Sequence, residues 1–328
     1  MISVRNVSKE FIQPKKYPGL KGAIKGLFSR EVEIKKAVED ISFDIAEGEI
    51  VGYIGSNGAG KSTTIKIMTG ILQPTAGSCI VNDIDPRKNR MENAKNVGVV
   101  FGQRTQLWWD LPLSESFTIL RDIYEVSDED YKNRMEFLNR VLELPEFFNQ
   151  TVRTLSLGQR MRADLGAALI HNPKVLYLDE PTIGLDLVVK DKIREAIKEI
   201  NQKYNTTVIL TTHDIEDIEE LCNRIIIIDK GRKIYDGSLK DLKSKFETRR
   251  SVIIEVKQIE KMKNLEWNEE VVAEIDKQKH IYTVYFDKNK QNVTDIISTV
   301  MKVTEVSDIQ IQEIELAEIV KSIYSNGI

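Results

Sequence analysis

The sequence predicts an α/β fold, in which helices flank a mostly parallel sheet, followed by a small α+β domain. Residues 48–54 have the composition of a short buried strand, which leads through a glycine-rich loop into a helix from Thr64. Residues 174–180 form a nearly continuous apolar run that ends in two carboxylates, as expected for a strand buried on both faces. Past Gly237, segments of strand and helix composition predict a separate α+β unit.

The glycine-rich loop fits the phosphate-loop pattern G-x-x-x-x-G-K-[ST] over residues 55–62. Its glycines allow backbone N–H groups to point at a phosphate chain, and the following helix adds a partial positive charge at its N-terminus. We expect Lys61 to reach the β- and γ-phosphates and Ser62 to offer its hydroxyl to Mg²⁺, which prefers oxygen ligands. The predicted nucleotide-binding residues of this loop are Ser56, Asn57, Gly58, Ala59, Gly60, Lys61, Ser62 and Thr63.

Composition and charge limit the class of protein. A chain of 328 residues has room for one large domain and a smaller companion. No apolar run approaches the roughly 20 residues needed to cross a bilayer, and residues 1–6 lack the core of a secretory signal, so we expect a cytosolic location. A net charge of −4 argues against general nucleic-acid binding, which needs a broad basic face. Cys79 and Cys222 have no metal-type spacing and are expected to be reduced thiols.

A basic segment interrupts the first strands. Residues 12–30 contain five basic and no acidic side chains. Its apolar residues recur at helical spacing, at Leu20, Ala23, Ile24, Leu27 and Phe28. This basic insert, assigned to residues 12–36, predicts either a helix packed on the protein's own flank or a contact with an anionic membrane surface or membrane-protein partner.

Further motifs follow the phosphate loop in a fixed order. Residues 104–170 read as a largely helical subdomain that ends in the sequence LSLGQ at 155–159 and its helix. The sequence VLYLDEPT occupies residues 175–182, and GLD occupies 184–186. A helix over roughly 187–204 then precedes a strand at 207–211 that delivers His213.

In this order the motifs resemble those of the nucleotide-binding subunit of an ATP-binding cassette (ABC) transporter, over residues 1 to about 240. LSLGQ is similar to the family signature LSGGQ, VLYLDEPT to the Walker B strand with its following glutamate, and GLD to the D-loop, with Asp186 as its carboxylate. The resemblance implies a P-loop NTPase of the ABC ATPase type that binds ATP and Mg²⁺. It also implies that Asp179 orients Mg²⁺ and its waters, that Glu180 is the general base for the attacking water, and that His213 contacts the γ-phosphate.

Two further roles implied by the resemblance have alternatives. Gln103 would hold the metal and the water, but Gly102 is one residue more than usual between the strand and this glutamine, so Gln106 is the alternative. Phe11 would stack on adenine, and because the basic insert shifts the local alignment, Tyr17 is the alternative.

The resemblance also implies that the signature acts on a second copy of the domain. The helix that begins near Ser156 could bind a γ-phosphate held by that copy, so that ATP joins a head-to-tail dimer. Leu157 replaces a signature glycine and Ala167 replaces a common arginine, which weakens the expected second half-site. The signature residues expected to act in trans are Ser156, Leu157, Gly158 and Gln159.

The partner expected from the resemblance is an ABC permease on separate chains. Trp108 and Trp109 follow Gln103 in a segment where the family docks its membrane subunits, and they are either core residues or anchors for a permease helix. Residues 102–112 and the basic insert are most similar to bacterial ATPases of antibiotic-resistance and polysaccharide exporters.

These features predict an exporter ATPase at the cytoplasmic face of the membrane, with a cassette at residues 1–240. Residues 241–328 resemble an accessory domain used for dimer support or regulation. The alternative is a soluble ABC ATPase that acts on nucleic acid or ribosomes. It is less favoured because such relatives commonly carry two cassettes or a long coiled-coil insert, and this chain has one cassette and no such insert.

Overall fold

The computed structural model describes residues 2–15, 19, 31–102, 104–246, 249–265, 267, 271–313 and 315–326. It divides into two units, Met1–Ser238 and Leu239–Ile328. None of the helices in the described part of the chain is long and apolar enough to span a membrane.

The first unit alternates strands and helices. Its strands are β1 (Ile2–Pro14), β2 (Val32–Ile45), β3 (Ile50–Gly55), β4 (Ala76–Val81), β5 (Val97–Phe101), β6 (Val175–Asp179), β7 (Thr207–Thr211), β8 (Arg224–Asp229) and β9 (Arg232–Ser238). Its helices are α1 (Lys61–Met68), α2 (Arg90–Asn96), α3 (Leu113–Ile123), α4 (Asp128–Leu142), α5 (Leu157–Leu169), α6 (Leu187–Tyr204) and α7 (Ile215–Leu221). Short 3₁₀ turns lie at Leu144–Glu146 and Val152–Thr154.

A six-stranded sheet in the order β5-β6-β7-β3-β8-β9 positions the site. Its first five strands are parallel, and β9 pairs antiparallel with β8 at the edge. Strands β6 and β7 are almost entirely buried, as their apolar composition predicts. Because the carboxyl ends of parallel strands meet at one edge, the ends of β3, β6 and β7 lie side by side. Ligands of open α/β sheets bind at that edge.

A second, antiparallel sheet in the order β2-β1-β4 packs on the first. Phe43 of β2 and Tyr53 of β3 lie with ring centroids 5.7 Å apart in a continuous apolar core between the sheets. β1 and β2 pair as far as Pro14 and Val32, so both ends of the insert predicted for residues 12–36 are strand. The remainder of that insert, residues 16–18 and 20–30 with the predicted amphipathic positions and Tyr17, lies outside the described residues.

The segment between β5 and β6 contains the helices α3, α4 and α5. Phe117 of α3, Leu138 of α4 and Leu165 of α5 are buried where these helices pack together. Gly166 of α5 allows this packing, since a Cβ there would lie 3.0 Å from the ring of Phe117.

The second unit contains β10 (Arg249–Val256), β11 (Val272–Asp276), β12 (Ile281–Asp287), β13 (Val306–Glu313), α8 (Leu239–Lys245), α9 (Val293–Met301) and α10 (Leu316–Asn326). A 3₁₀ helix spans Ile259–Asn264. The strands form an antiparallel sheet in the order β11-β12-β10-β13. Alternate residues of β10 and β12, including Val252, Ile254, Tyr282 and Val284, form its core with Ile296 of α9. The edge strand β11 was not predicted.

Candidate functional site

The phosphate loop connects the end of β3 to α1. Gly58 and Gly60 have φ values of 81° and 109°, a left-handed conformation that favours glycine. A Cβ at Gly60 would also lie 2.6 Å from the carbonyl oxygen of Ala37. No side chain caps the N-terminus of α1 at Gly60, so its first N–H groups suit an anion.

The lysine of this loop lies inside it. Lys61 is 7% exposed, and its Nζ donates to the carbonyl oxygen of Gly55 at 2.6 Å. Burial lowers the pKa of Lys61, and the carboxylates of Glu180 and Asp179 act in the opposite direction. Ser56 donates from Oγ to Oδ1 of Asp229 at 3.0 Å, which ties the loop to the end of β8.

Oxygen atoms from three elements meet at the end of β6. Ser62 Oγ lies 3.2 Å from Oδ2 of Asp179, and Thr211 Oγ1 donates to Oδ1 of Asp179 at 2.5 Å. A hydroxyl beside a carboxylate is a donor set that fits Mg²⁺. Thr211 was not predicted as a site residue, although its position at the end of a strand predicted to be buried was an available signal.

Glu180 and His213 contact each other. The Nε2 atom of His213 lies 3.2 Å from Oε1 of Glu180, and the backbone N–H of His213 donates to Oε2 at 3.3 Å. Glu180 has a φ of 59°, which is unusual for a residue other than glycine, and its N–H donates to the carbonyl oxygen of Thr211 at 2.9 Å. Such strained residues cluster at functional sites.

The extra glycine before Gln103 has a physical reason. Gly102 N donates to the carbonyl oxygen of Asp179 at 2.7 Å, and a Cβ on Gly102 would lie 2.4 Å from the carbonyl oxygen of Glu180. Only glycine allows so close an approach. Gln103 itself lies outside the described residues.

The alternative glutamine, Gln106, binds α5. Its Nε2 donates to the carbonyl oxygen of Asp164 at 3.1 Å, and its backbone N–H donates to the Asp164 carboxylate. Thr105 Oγ1 donates to the same carboxylate at 2.8 Å. Burial raises the pKa of Asp164 to about 6, and these hydrogen bonds oppose the rise. Asp164 was not predicted as a site residue either.

The signature begins helix α5. Ser156 is its N-cap: Ser156 Oγ accepts from the N–H of Gln159 at 3.2 Å, and Gln159 Oε1 accepts from the N–H of Ser156 at 3.0 Å. Leu157 is 43% exposed. Gly158 packs closely on α6, since a Cβ there would lie 2.9 Å from a methyl carbon of Val189.

The D-loop residue Asp186 caps α6 by accepting from the N–H of Val189 at 3.1 Å. The signature and the D-loop of one chain are therefore neighbours. Among the described residues, no hydrogen bond or ion pair joins residues 156–159 to the phosphate loop.

Phe11 lies on β1 opposite Lys35 of β2. Its ring is half-buried, and the Nζ atom of Lys9 lies 5.3 Å from the ring centroid. The Phe11 side chain is therefore partly exposed to solvent.

The family model described as "ABC transporter" matches residues 38–183. The ABC transporter ATP-binding protein NatA of Bacillus subtilis is 33% identical over 224 residues, which cover 68% of this chain and 89% of NatA. The linearmycin resistance ATP-binding protein LnrL of the same organism is 35% identical over 211 residues, covering 64% of this chain and 67% of LnrL. Methionine import ATP-binding proteins are also similar, at 32% identity.

Among solved structures, the fold is similar to a dimeric, post-hydrolysis state of the ATP-binding cassette MJ0796 bound to ADP and Pi. The TM-score is 0.60 at 28% identity, over 73% of this chain and 99% of that one. The predicted fold, a P-loop NTPase of the ABC ATPase type, is confirmed. Given the match to NatA over most of its length, the chain belongs to the family of ABC transporter ATP-binding proteins, and it is an ATPase.

Proposed function

We propose that this chain drives an exporter whose permease is a separate membrane protein, and that it works as a dimer at the cytoplasmic face of the membrane. The observation that supports its ATP-driven part is the convergence of Glu180, His213, Asp179 and Ser62 beside a phosphate loop. This arrangement suits in-line attack of water on a γ-phosphate, which depends on positioning and charge stabilisation.

Each residue of the site has a role in the proposal. Lys61 and the N-terminus of α1 bind the β- and γ-phosphates. Glu180 accepts a proton from the attacking water, and His213 orients Glu180 and contacts the γ-phosphate. Ser62 and Asp179 would hold Mg²⁺, with Gln103 as a further ligand, and the ion would neutralise charge on the phosphates.

Two half-sites require two copies of the cassette. Ser156 uses its Oγ as an acceptor within the capping box, which leaves the hydroxyl hydrogen free to donate to a phosphate. Among the described residues, the signature makes no hydrogen bond with the phosphate loop of its own chain. We therefore assign the phosphate that Ser156 would contact to the nucleotide of a partner cassette. The dimeric state of the similar cassette supports this assignment.

The proposed direction of transport is argued from similarity to proteins of known name. The segment 102–112 and the similarity to the resistance protein LnrL favour export, whereas the methionine import relatives share the same cassette.

Trp108 and Trp109 are 38% and 47% exposed, which suits anchors for a permease helix. We assign residues 241–328 to dimer support or regulation. Nothing observed favours the alternative function on nucleic acid or ribosomes.

Co-purification tests the partner. The tagged chain, extracted from its own cells in mild detergent with ATP and Mg²⁺, is expected to retain a polytopic membrane protein in stoichiometric amount. Recovery of ribosomes or nucleic acid in its place would contradict the proposal. Export is tested in cells that lack the chain: these should retain a compound that the parent cells release, and a defect in uptake would show the opposite direction.

A further inference from the structure

A buried ion pair lies behind the proposed catalytic residues. Arg194 of α6 donates from Nε to Oδ1 of Asp217 in α7 at 2.7 Å. Arg194 is 4% exposed and Asp217 is fully buried. Charges removed from water in this way are costly unless every polar atom finds a partner, so the other contacts of the pair decide what it does.

The second carboxylate oxygen of Asp217 faces the site. Oδ2 accepts a hydrogen bond from Oγ1 of Thr182 and another, at 3.0 Å, from Oγ1 of Thr212. Both threonines are almost fully buried. Thr182 lies two residues after Glu180, and Thr212 immediately precedes His213, so one carboxylate joins the two loops that carry these residues.

The remaining nitrogen atoms of the Arg194 guanidinium also donate hydrogen bonds to carboxylates. It donates from Nη2 to Glu216 at 3.0 Å and from Nη1 to Asp191 at 3.1 Å. Asp214, the residue after His213, pairs with Lys190. Because α6 and α7 both contribute to this network, Arg194 has little freedom to turn, and the orientation of the Asp217 carboxylate is fixed.

We propose that Asp217 is a positioning residue for ATP hydrolysis, which holds the Glu180 loop and the His213 loop at the spacing the reaction needs. The inference rests on the roles proposed above for Glu180 and His213. These residues need such support, because Glu180 has a left-handed backbone and the His213 side chain is 49% exposed. A displacement of about 1 Å between reacting groups can lower a rate by about 100-fold.

A second ion pair provides a matched control. Arg224 of β8 donates to Oδ1 of Asp236 in β9 from Nε at 2.9 Å and from Nη2 at 2.8 Å. This partly buried pair joins two strands, and among the described residues it makes no hydrogen bond with Thr182, Thr212 or the residues between them. Loss of either pair should lower stability, whereas only the Asp217 pair should affect turnover.

The test compares Asp217→Asn with Asp236→Asn in the full chain. Asp217→Asn is expected to lower kcat for ATP by about 10- to 100-fold and to change KM and the Kd of ATP by less than about threefold. Asp236→Asn is expected to retain kcat within about twofold, with a smaller fall in Tm because this pair is partly exposed. Equal loss of kcat in the two variants would show a purely structural role for Asp217.

A double variant measures the coupling between Asp217 and His213 in kcat, which a general loss of stability does not change. If Asp217 acts through the histidine loop, Asp217→Asn should cost much less kcat in a His213→Ala background than in the wild type. Fully multiplicative losses would overturn the inference. If Asp217→Asn does not fold, Thr212→Val and Thr212→Ser replace it: the valine variant should lose much more kcat than the serine variant, which keeps the hydroxyl.

The same experiments separate this inference from the proposed function. Normal turnover in Glu180→Gln and His213→Ala would show that the catalytic roles are misassigned. Loss of turnover in those two variants, with full turnover in a folded Asp217→Asn, would leave the catalytic roles intact and overturn only the role of Asp217.

Discussion

His213 and Glu180 contact each other through two pairs of atoms, Nε2 with Oε1 at 3.2 Å and the backbone N–H with Oε2 at 3.3 Å. Both oxygens of the glutamate therefore face the histidine. His213 can therefore orient the carboxylate of Glu180. That carboxylate can accept a proton from water only when one of its oxygens is not occupied by His213. We infer that the two residues act as a unit, so that their losses should not be additive.

Glu180→Gln should bind ATP without turning it over. The amide keeps the size of the side chain but cannot act as a base, so we expect a fall in kcat of about 100-fold or more. With ATP and Mg²⁺, the variant should accumulate as a dimer on gel filtration. Glu47→Gln, an exposed carboxylate before β3, is the control and should behave as the wild type. Near wild-type hydrolysis in Glu180→Gln would show that the base is another residue.

Gly102→Ala should lower both turnover and stability. The added Cβ would lie 2.4 Å from the carbonyl oxygen of Glu180 and 2.9 Å from that of Asp179, so the backbone must move. We expect the free energy of unfolding, measured in urea, to fall by about 1–3 kcal/mol. We also expect kcat to fall by more than the decrease in the folded fraction explains. A variant with unchanged kcat would show that the backbone of Glu180 can shift without effect on the reaction.

Much of the fold could be predicted from the sequence, because it depends on local patterns, and so could the proximity of two candidate site residues. Ser62 and Asp179 are 117 positions apart and lie 3.2 Å from each other. Their proximity could be expected, since each follows or ends a strand that reads as part of a parallel sheet, and such strands end at a common edge.

The buried carboxylates behind the site could not be predicted from local patterns. Asp217 lies in the charged run of α7, where an aspartate would ordinarily lie in a solvated helix face, and only the packing of α6 shows that it is buried. Asp164 lies in an otherwise apolar helix, and its partners are some 58 residues earlier in the chain. Strand β11 was missed because it is short and its Val272 is more than half exposed.

Two inactive variants should restore activity when mixed. In a head-to-tail dimer of Ser156→Ala with Lys61→Ala, one site combines the intact phosphate loop of the first chain with the intact signature of the second. If the two variants mix at random, about half of the dimers contain one chain of each variant. Each mixed dimer has one complete site of two, so about a quarter of wild-type turnover is expected. A mixture no more active than either variant alone would contradict the assignment of Ser156 to the partner's nucleotide.

Alanine at both Trp108 and Trp109 should weaken assembly with the permease. The two side chains are partly exposed, and the guanidinium of Arg160 lies 4.7 Å from the ring centroid of Trp109, which orients that ring. We expect co-purification of the membrane partner to fall by at least about tenfold. Met91→Ala, at an apolar side chain that is 81% exposed on α2, is the control. Unchanged co-purification in the double variant would assign the tryptophans to a different role.

The buried carboxyl group of Asp164 should make stability depend on pH. Burial raises its pKa from 3.8 to about 6, against the hydrogen bonds from Thr105 and Gln106 and the charge of Arg160. The folded state therefore holds this proton more tightly than the unfolded state, and the favourable contribution is lost as the pH rises through about 6. Relative to Asp164→Asn, the wild type should gain about 1–2 kcal/mol in the free energy of unfolding between pH 8 and pH 5.

Urea denaturation of both proteins at pH 5, 6, 7 and 8 measures this difference directly. His171 affects the pH dependence of stability in the opposite direction. Burial lowers its pKa to about 4, so the free energy of unfolding falls as His171 binds a proton in acid. The wild type and Asp164→Asn share His171, and its contribution cancels when the two are subtracted. A difference that does not vary with pH would mean that the Asp164 carboxyl ionises in the folded protein as readily as in the unfolded chain. Its hydrogen bonds to Thr105 and Gln106 would then fully offset the cost of burying the charge.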